Sequence, residues 1–386
     1  MKISKVIAWR RITILSFCFI KLVAQPPRGP LVISPKVNAD KTVTFSYLSL
    51  QAKEVKLSAQ FEKTPVPMIK GDQGIWSVTV GPIKPDIYPY SFHVDGISVM
   101  DPANVAFFPN ERFKASLVEI PDDTPTLYTL QNVPHGTITY EYYPSVEGSQ
   151  STVVVYTPPG YNKDLSKKYP VYYLISGTTD TEETFFKVGK THLIMDNLIA
   201  AGKATPMIIV MPYGNPLARI AEQKSLAKPG DLLNRDSEDA LKRAKLFEAD
   251  LVDNIIPYIE SNYRTIANKD NRGIGGFSRG GGQTLRTAFN HMDKFSWVCS
   301  YASYISPAEM DKLFLHITSN PAKTNQNYKL LWSGIGTEDF LYKGTLEFND
   351  YLTAKNIQLN TFITDGGHTW MNVKKYLMQT LPLLFK

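Results

Sequence analysis

The sequence predicts an α/β chain: a mostly parallel sheet with helices on both faces, preceded by a small all-β sandwich. Three observations predict it. Between residues 31 and about 120, short segments alternate apolar and polar side chains on a period of two, with turn residues between them and no useful helical spacing. From about residue 130, continuously apolar runs alternate with segments of helical spacing, the pattern of strands covered on both faces. One glycine-rich turn, Gly276 to Gly280, lies between a strand pattern and a helix pattern. A length of 386 residues allows two or three domains. With 43% apolar and 20% charged residues, the chain can bury a core and is neither low-complexity nor coiled coil.

The first element is an expected export signal over residues 1–24. A positive stretch precedes the apolar run Ile12 to Ile20, and Leu22-Val23-Ala24 offers a cleavage position before Pro26 and Pro27. The run is about half of the roughly 20 residues a spanning helix needs, so no membrane span is expected. A secreted or periplasmic location follows. Lys2, Lys5, Arg10, Arg11 and Lys21 supply five of the six net positive charges. The remainder is close to neutral, which removes the main support for a nucleic-acid partner. Two cysteines, Cys18 and Cys299, make no Cys-rich metal site, and removal of the signal leaves Cys299 as a buried, unpaired thiol.

Residues 25–122 form the expected sandwich. Lys41 to Tyr47 and Glu54 to Ala59 alternate on a period of two, Gly71 and Gly74 precede the strand Ile75 to Val80, and Asp95-Gly96 is a hairpin turn signal. A joint rich in Pro and Thr, Pro121 to Thr126, leads to the second unit, residues 130–386. Its strands are Thr152 to Thr157, Val171 to Ile175, Met207 to Met211, Leu330 to Trp332 and Asn360 to Thr364. Phe247 to Tyr263 has helical spacing, with Pro257 as a kink or a first turn. The charged segment from about Gly214 to Arg243 reads as a loop over the site.

Gly276-Phe277-Ser278-Arg279-Gly280 fits G-x-S-x-G between the strand approach Arg272 to Gly275 and the helix Gln283 to Phe289. This strand–turn–helix context makes it the nucleophile elbow of an α/β-hydrolase sheet, with Ser278 as nucleophile. A serine at its free pKa is a poor nucleophile, so a base and an orienting acid must follow in the chain order Ser, Asp or Glu, His. Beyond the following helix stand His316, in a helix-like apolar stretch, and His368, in the glycine-rich loop Asp365 to Thr369. His368 is the expected base. Asp339, after the strand Leu330 to Trp332, is the expected acid, with Glu338 in reserve and Asp350 placed on a helix. The oxyanion donors expected from position are the backbone N–H groups of Thr178 and Arg279. Tyr213, Tyr301, Phe340 and Trp370 adjoin these motifs and are available for an aromatic acyl pocket, although sheet core is the commoner role for such residues.

The stretches Gly74-Ile-Trp76, Tyr88 to Gly96 and Asp101 to Asn104 resemble the immunoglobulin-like E-set domain of glycogen-branching and related enzymes, grouped with carbohydrate-binding modules. That likeness offers Trp76, Tyr88 and Tyr90 either as sugar-stacking aromatics or as sandwich core. The second unit resembles the esterase D family, especially carbohydrate esterases of the feruloyl and acetylxylan type. The resemblance rests on Tyr156 to Tyr161, Phe247 to Leu251, Asn262-Tyr-Arg264, Gly276 to Leu285, Gly336 to Tyr342 and Gly366 to Trp370. The family's nucleophile, acid and base fall on Ser278, Asp339 and His368. This chain departs from the family at Ser176-Gly177, where many members have His-Gly, and at Arg279, where many have Met.

The resemblance implies a secreted serine esterase that releases hydroxycinnamoyl groups from plant cell-wall polysaccharide such as xylan, or from its acylated oligosaccharides, without metal or cofactor. Acetylxylan esterase, a siderophore (enterochelin-type) esterase, S-formylglutathione hydrolase and a non-catalytic glycan-binding protein are the alternatives.

Overall fold

A computed structural model describes residues 30–224 and 237–386. The expected signal, residues 1–24, and the centre of the charged segment, residues 225–236, lie outside the described residues.

The period-two segments form nine strands: β1 (Lys36–Val37), β2 (Val43–Leu48), β3 (Val55–Ala59), β4 (Val66–Pro67), β5 (Ile69–Lys70), β6 (Ile75–Val80), β7 (Asp86–Val94), β8 (Ile97–Val99) and β9 (Ser116–Ile120). They make two antiparallel sheets, β1-β2-β6-β5 and β4-β3-β7-β8, with β9 added against β7. Val43 and Phe45 from one sheet meet Leu57, Tyr90 and Phe92 from the other in a shared core. Asp95 (φ 48°) and Gly96 (φ 86°) close the β7–β8 hairpin with the two left-handed residues that a tight two-residue turn demands. Trp76, Tyr88 and Tyr90 are buried between the sheets, so the sugar-stacking option does not hold for these three.

The second unit carries β10 (Thr137–Pro144), β11 (Gln150–Thr157), β12 (Val171–Ile175), β13 (Ile208–Pro212), β14 (Arg272–Phe277), β15 (Trp297–Tyr301), β16 (Leu330–Gly336) and β17 (Asn360–Thr364). They pair in the order β10-β11-β13-β12-β14-β15-β16-β17. The β10–β11 and β11–β13 pairs are antiparallel and the rest parallel, which is the α/β-hydrolase sheet. Its helices are α1 (Thr184–Lys187), α2 (Thr191–Ala200), α3 (Pro216–Lys224), α4 (Ser237–Ala249), α5 (Ile256–Asn262), α6 (Arg279–Asn290), α7 (Pro307–Leu313), α8 (Leu315–Thr318), α9 (Pro321–Asn327), α10 (Tyr342–Ala354) and α11 (Trp370–Thr380).

The continuous apolar runs are explained by cover on both sides. Along β12, Tyr172 and Leu174 point into a core with Ile194, Met195 and Leu198 of α2 and Val373, Tyr376 and Leu377 of α11. Val171, Tyr173 and Ile175 point the other way, onto Ile259 of α5, Leu285 and Phe289 of α6 and Phe348 of α10. Two of the sequence expectations change. The segment from Gly214 to Arg243 is helical at both ends, as α3 and the start of α4, not a plain loop. The helix expected over Phe247 to Tyr263 is broken by a π-helical stretch, Asp250–Ile255, and Pro257 takes a first-turn position in α5.

The sandwich is fastened to the hydrolase sheet. Ile87, Phe108, Ala115 and Leu117 belong to the same apolar core as α2 and α11. Lys374 of α11 forms a buried ion pair with Asp86 of β7.

Candidate active site

Strand β14 ends at Phe277, and Ser278 turns directly into α6 with φ 56° and ψ −117°, a conformation costly for a residue with a side chain. The two glycines of the motif make that turn possible. A Cβ on Gly276 would lie 2.4 Å from the Gly280 carbonyl oxygen, and one on Gly280 would lie 2.2 Å from that of Ile175. The Ser278 N–H donates to the Tyr301 carbonyl at 2.9 Å, tying the elbow to β15. Ser278 lines a cleft of about 1230 Å³ together with His368, Thr178 and Arg279.

His368 sits in the loop between β17 and α11, which Gly366 (φ 87°) turns back over the sheet. Its Nδ1 is 2.7 Å from Asp339 Oδ2. The Asp339 side chain is fully buried and its other oxygen accepts from the Leu341 N–H at 2.8 Å. The imidazole is flanked by Phe277 and Phe340, each with its ring centre 4.6 Å away. A carboxylate on Nδ1 fixes the tautomer that presents Nε2 as an acceptor. No hydrogen bond joins Ser278 to His368 among the described residues; the two share one cleft wall, and such contacts commonly tighten only around substrate. Glu338 is exposed, and His316 is spent on the Phe289 carbonyl at 2.8 Å.

Arg279 is the first residue of α6, so its N–H is one of the donors a helix start leaves unsatisfied. Thr178 is exposed at the cleft wall after β12. The loop carrying it is gripped by the all-β region, through contacts the sequence reading missed. Glu111 N–H donates to the Thr179 carbonyl at 2.7 Å, and Asn110 Nδ2 reaches Thr179 Oγ1 at 3.0 Å and Asp180 Oδ1 at 3.1 Å. Asn110, Glu111, Arg112 and Phe113 all line the cleft. The one signal for them was the long strand-free connection between β8 and β9, since loops of that length in compact domains are commonly functional.

Asp180 also takes the indole N–H of Trp370 at 3.2 Å. Burial pushes its carboxyl up from 3.8 to about 7, against the opposing pull of the Asn110 hydrogen bond and the Arg279 charge. A carboxyl whose folded pKa lies above its unfolded one favours folding most at low pH. That contribution declines as pH rises from about 4 through about 7 and is level beyond. Three units correspond to about 4 kcal/mol at most. Asp180→Asn should therefore flatten the fall in stability between pH 5 and 8, read as the denaturation midpoint of variant and parent at each pH. Parallel curves would show that Asp180 does not titrate in that window.

Of the four aromatic pocket candidates, Phe340 and Trp370 line the cleft, the first 77% exposed and the second largely buried behind it. Tyr301 does not reach it. It shares its side of β15 with Trp297 and Cys299, and its hydroxyl is taken up by Tyr172 and Thr380 in the core below α11. Tyr213 is also buried behind the wall, hydrogen-bonded to Glu111 under the Arg219 guanidinium.

Sheet order, elbow and acid–imidazole pair together define an α/β-hydrolase with its candidate nucleophile at the strand-to-helix turn. The chain belongs to the Esterase family, whose model matches residues 145–379. It is 30% identical over 374 residues to an endo-1,4-β-xylanase/feruloyl esterase of Xylanibacter ruminicola, covering 94% of this chain and 47% of that protein. The chain thus spans about half the length of that relative. A CE1 ferulic acid esterase of Anaeromyces mucronatus, solved in complex with ferulic acid, shares the fold at TM-score 0.56 and 23% identity, covering 68% of this chain and 96% of that one. The enterobactin esterase of Shigella flexneri superposes at TM-score 0.61 and 15% identity, covering 89% of this chain and 93% of the other.

Proposed function

We propose that the protein hydrolyses hydroxycinnamoyl (feruloyl) esters on plant cell-wall polysaccharide such as xylan, after export directed by residues 1–24. The observation that carries the reading is the buried Asp339–His368 pair, at 2.7 Å, beside a serine held on a strained elbow in the same cleft. The feruloyl esterase half of the Xylanibacter relative's name supports the substrate class.

In this reading His368 Nε2 takes the proton of Ser278 as Oγ attacks the ester carbonyl. Asp339 holds the ring and stabilises its charged form. The N–H groups of Thr178 and Arg279 receive the developing oxyanion, each such donor being worth roughly 3–4 kcal/mol in the transition state. The imidazolium then protonates the leaving sugar alcohol. Water, deprotonated by the same imidazole, releases the acid from the acyl-enzyme. The relay needs no metal or cofactor.

The test is acid release by the purified protein from methyl ferulate, feruloylated arabinoxylan, acetylated xylan and a catecholate trilactone. Hydroxycinnamate release is the expected result. Acetate or catecholate release alone would keep the mechanism and replace the substrate.

A further inference from the structure

The loop after β12 closes as a four-residue turn, Gly177 to Asp180, in which the Asp180 N–H donates to the Gly177 carbonyl at 3.3 Å. Thr179, the third residue, has φ 66°, and neither Gly177 nor Thr178 shares the positive φ. That is the type II pattern, whose third position ordinarily takes glycine or asparagine. A β-branched side chain is strained there, and such strain persists only where the surroundings impose the conformation.

The all-β region imposes it. Asn110 Nδ2 donates to Thr179 Oγ1 at 3.0 Å and to Asp180 Oδ1 at 3.1 Å, and the Asn110 and Asp180 backbones form an antiparallel bridge. The Glu111 N–H donates to the Thr179 carbonyl at 2.7 Å, a shorter bond than the turn's own. Asn110 is itself fixed. It is 4% exposed, and its Oδ1 accepts from the Arg112 and Phe113 N–H groups at 2.9 and 3.2 Å. Both donors and both acceptor positions of the amide are thus spent. Glycine would take the φ of Thr179 without strain, but it has no hydroxyl for Asn110 to hold. Returning Thr179 to negative φ would turn over the peptide joining it to Thr178, next to the expected oxyanion donor.

We propose that Asn110 is a positioning residue for ester hydrolysis: it holds Thr179 left-handed, and so keeps the turn that aims the Thr178 N–H into the cleft. The proposal rests on the reading of Thr178 as an oxyanion donor. It makes the all-β region part of the catalytic apparatus through a turn it braces, with no contact to substrate required. Removing an oxyanion donor outright costs about 10²–10³-fold in kcat, so a donor left in place but misdirected should cost about tenfold or more. The oxyanion develops only after substrate is bound, so the loss belongs in kcat. Asn110 also lines the cleft, and a direct contact with bound substrate would instead appear in KM.

The experiment measures kcat and KM of the full chain on 4-nitrophenyl acetate, a small ester that sets the choice of natural acyl group aside, with thermal unfolding alongside. Asn110→Ala should lower kcat about tenfold or more, with KM within about threefold of the parent. Thr179→Val removes only the hydroxyl and keeps the other contacts of Asn110, and it should lower kcat in the same way. Adding Thr179→Gly to Asn110→Ala should return kcat to within about threefold of the parent, because glycine takes the left-handed φ unaided. An Asn110 that served the fold alone would not be rescued by losing a further contact. Unchanged kcat in either folded single variant, a rise in KM in place of the fall in kcat, or no recovery in the double variant would each overturn the proposal. A parent that turns over no ester would overturn the ester-hydrolase reading and this proposal with it, whereas an active parent beside unaffected variants would overturn this proposal alone.

Discussion

Ser278→Ala is expected to lower kcat for ester hydrolysis by about six orders of magnitude, to the level that binding and the oxyanion donors sustain alone. The size follows from the role. Without Oγ no acyl-enzyme forms, and His368 has no proton to take. The fold should not register the change. The elbow is held by backbone contacts, from Ser278 N–H to the Tyr301 carbonyl and from Gly282 N–H to the Ser278 carbonyl, and alanine retains both. Kinetics on methyl ferulate alongside thermal unfolding check the prediction. A midpoint within about 2 °C of the parent with turnover gone is the expected pair of results. Residual activity within tenfold of the parent would remove Ser278 from the chemistry.

The fold was legible because its signals are local. Period-two segments became the sandwich, and the continuous apolar runs of β12 and β13 became strands covered on both faces. Strand β10 was missed. It lies at the sheet edge, and its exposed positions dilute the apolar pattern that marked its neighbours. Helix α3 was hidden in a segment read by its charge, yet Ile220 is buried. The strained turn at Ser278 and the contact between His368 and Asp339 lie where motif, chain order and glycine placement put them.

The rest of the cleft was not legible, for two physical reasons. Asn110 and Glu111 reach Thr179 and Asp180 across about 70 residues of chain, and no local pattern encodes a contact of that kind. Tyr301 stood open between pocket and core because adjacency to a motif says nothing about side-chain direction. Strand parity does: two steps from Cys299 on β15, Tyr301 must share its buried face. Phe340 follows Asp339 in the turn after β16, outside the pleat, and is free to lie over His368.

Asp339→Asn carries the second large expected effect, a fall of about four orders of magnitude in kcat with KM little changed. The substitution preserves shape, and the buried site should stay packed. The change is in hydrogen bonding. The Leu341 N–H, 2.8 Å from Oδ1, can be met only by an oxygen, so the asparagine carbonyl stays there and its amide turns to His368. An amide donor at Nδ1 obliges that nitrogen to accept, which places the ring proton on Nε2, the atom that must take the proton of Ser278. The base is then present and correctly placed but in the wrong tautomer. Glu338→Gln is the matched comparison, because Glu338 is exposed on the neighbouring turn and should change kcat by less than about threefold. If instead Glu338→Gln disabled the enzyme and Asp339→Asn did not, the orienting acid would be Glu338, and the 2.7 Å pair would be a structural contact alone.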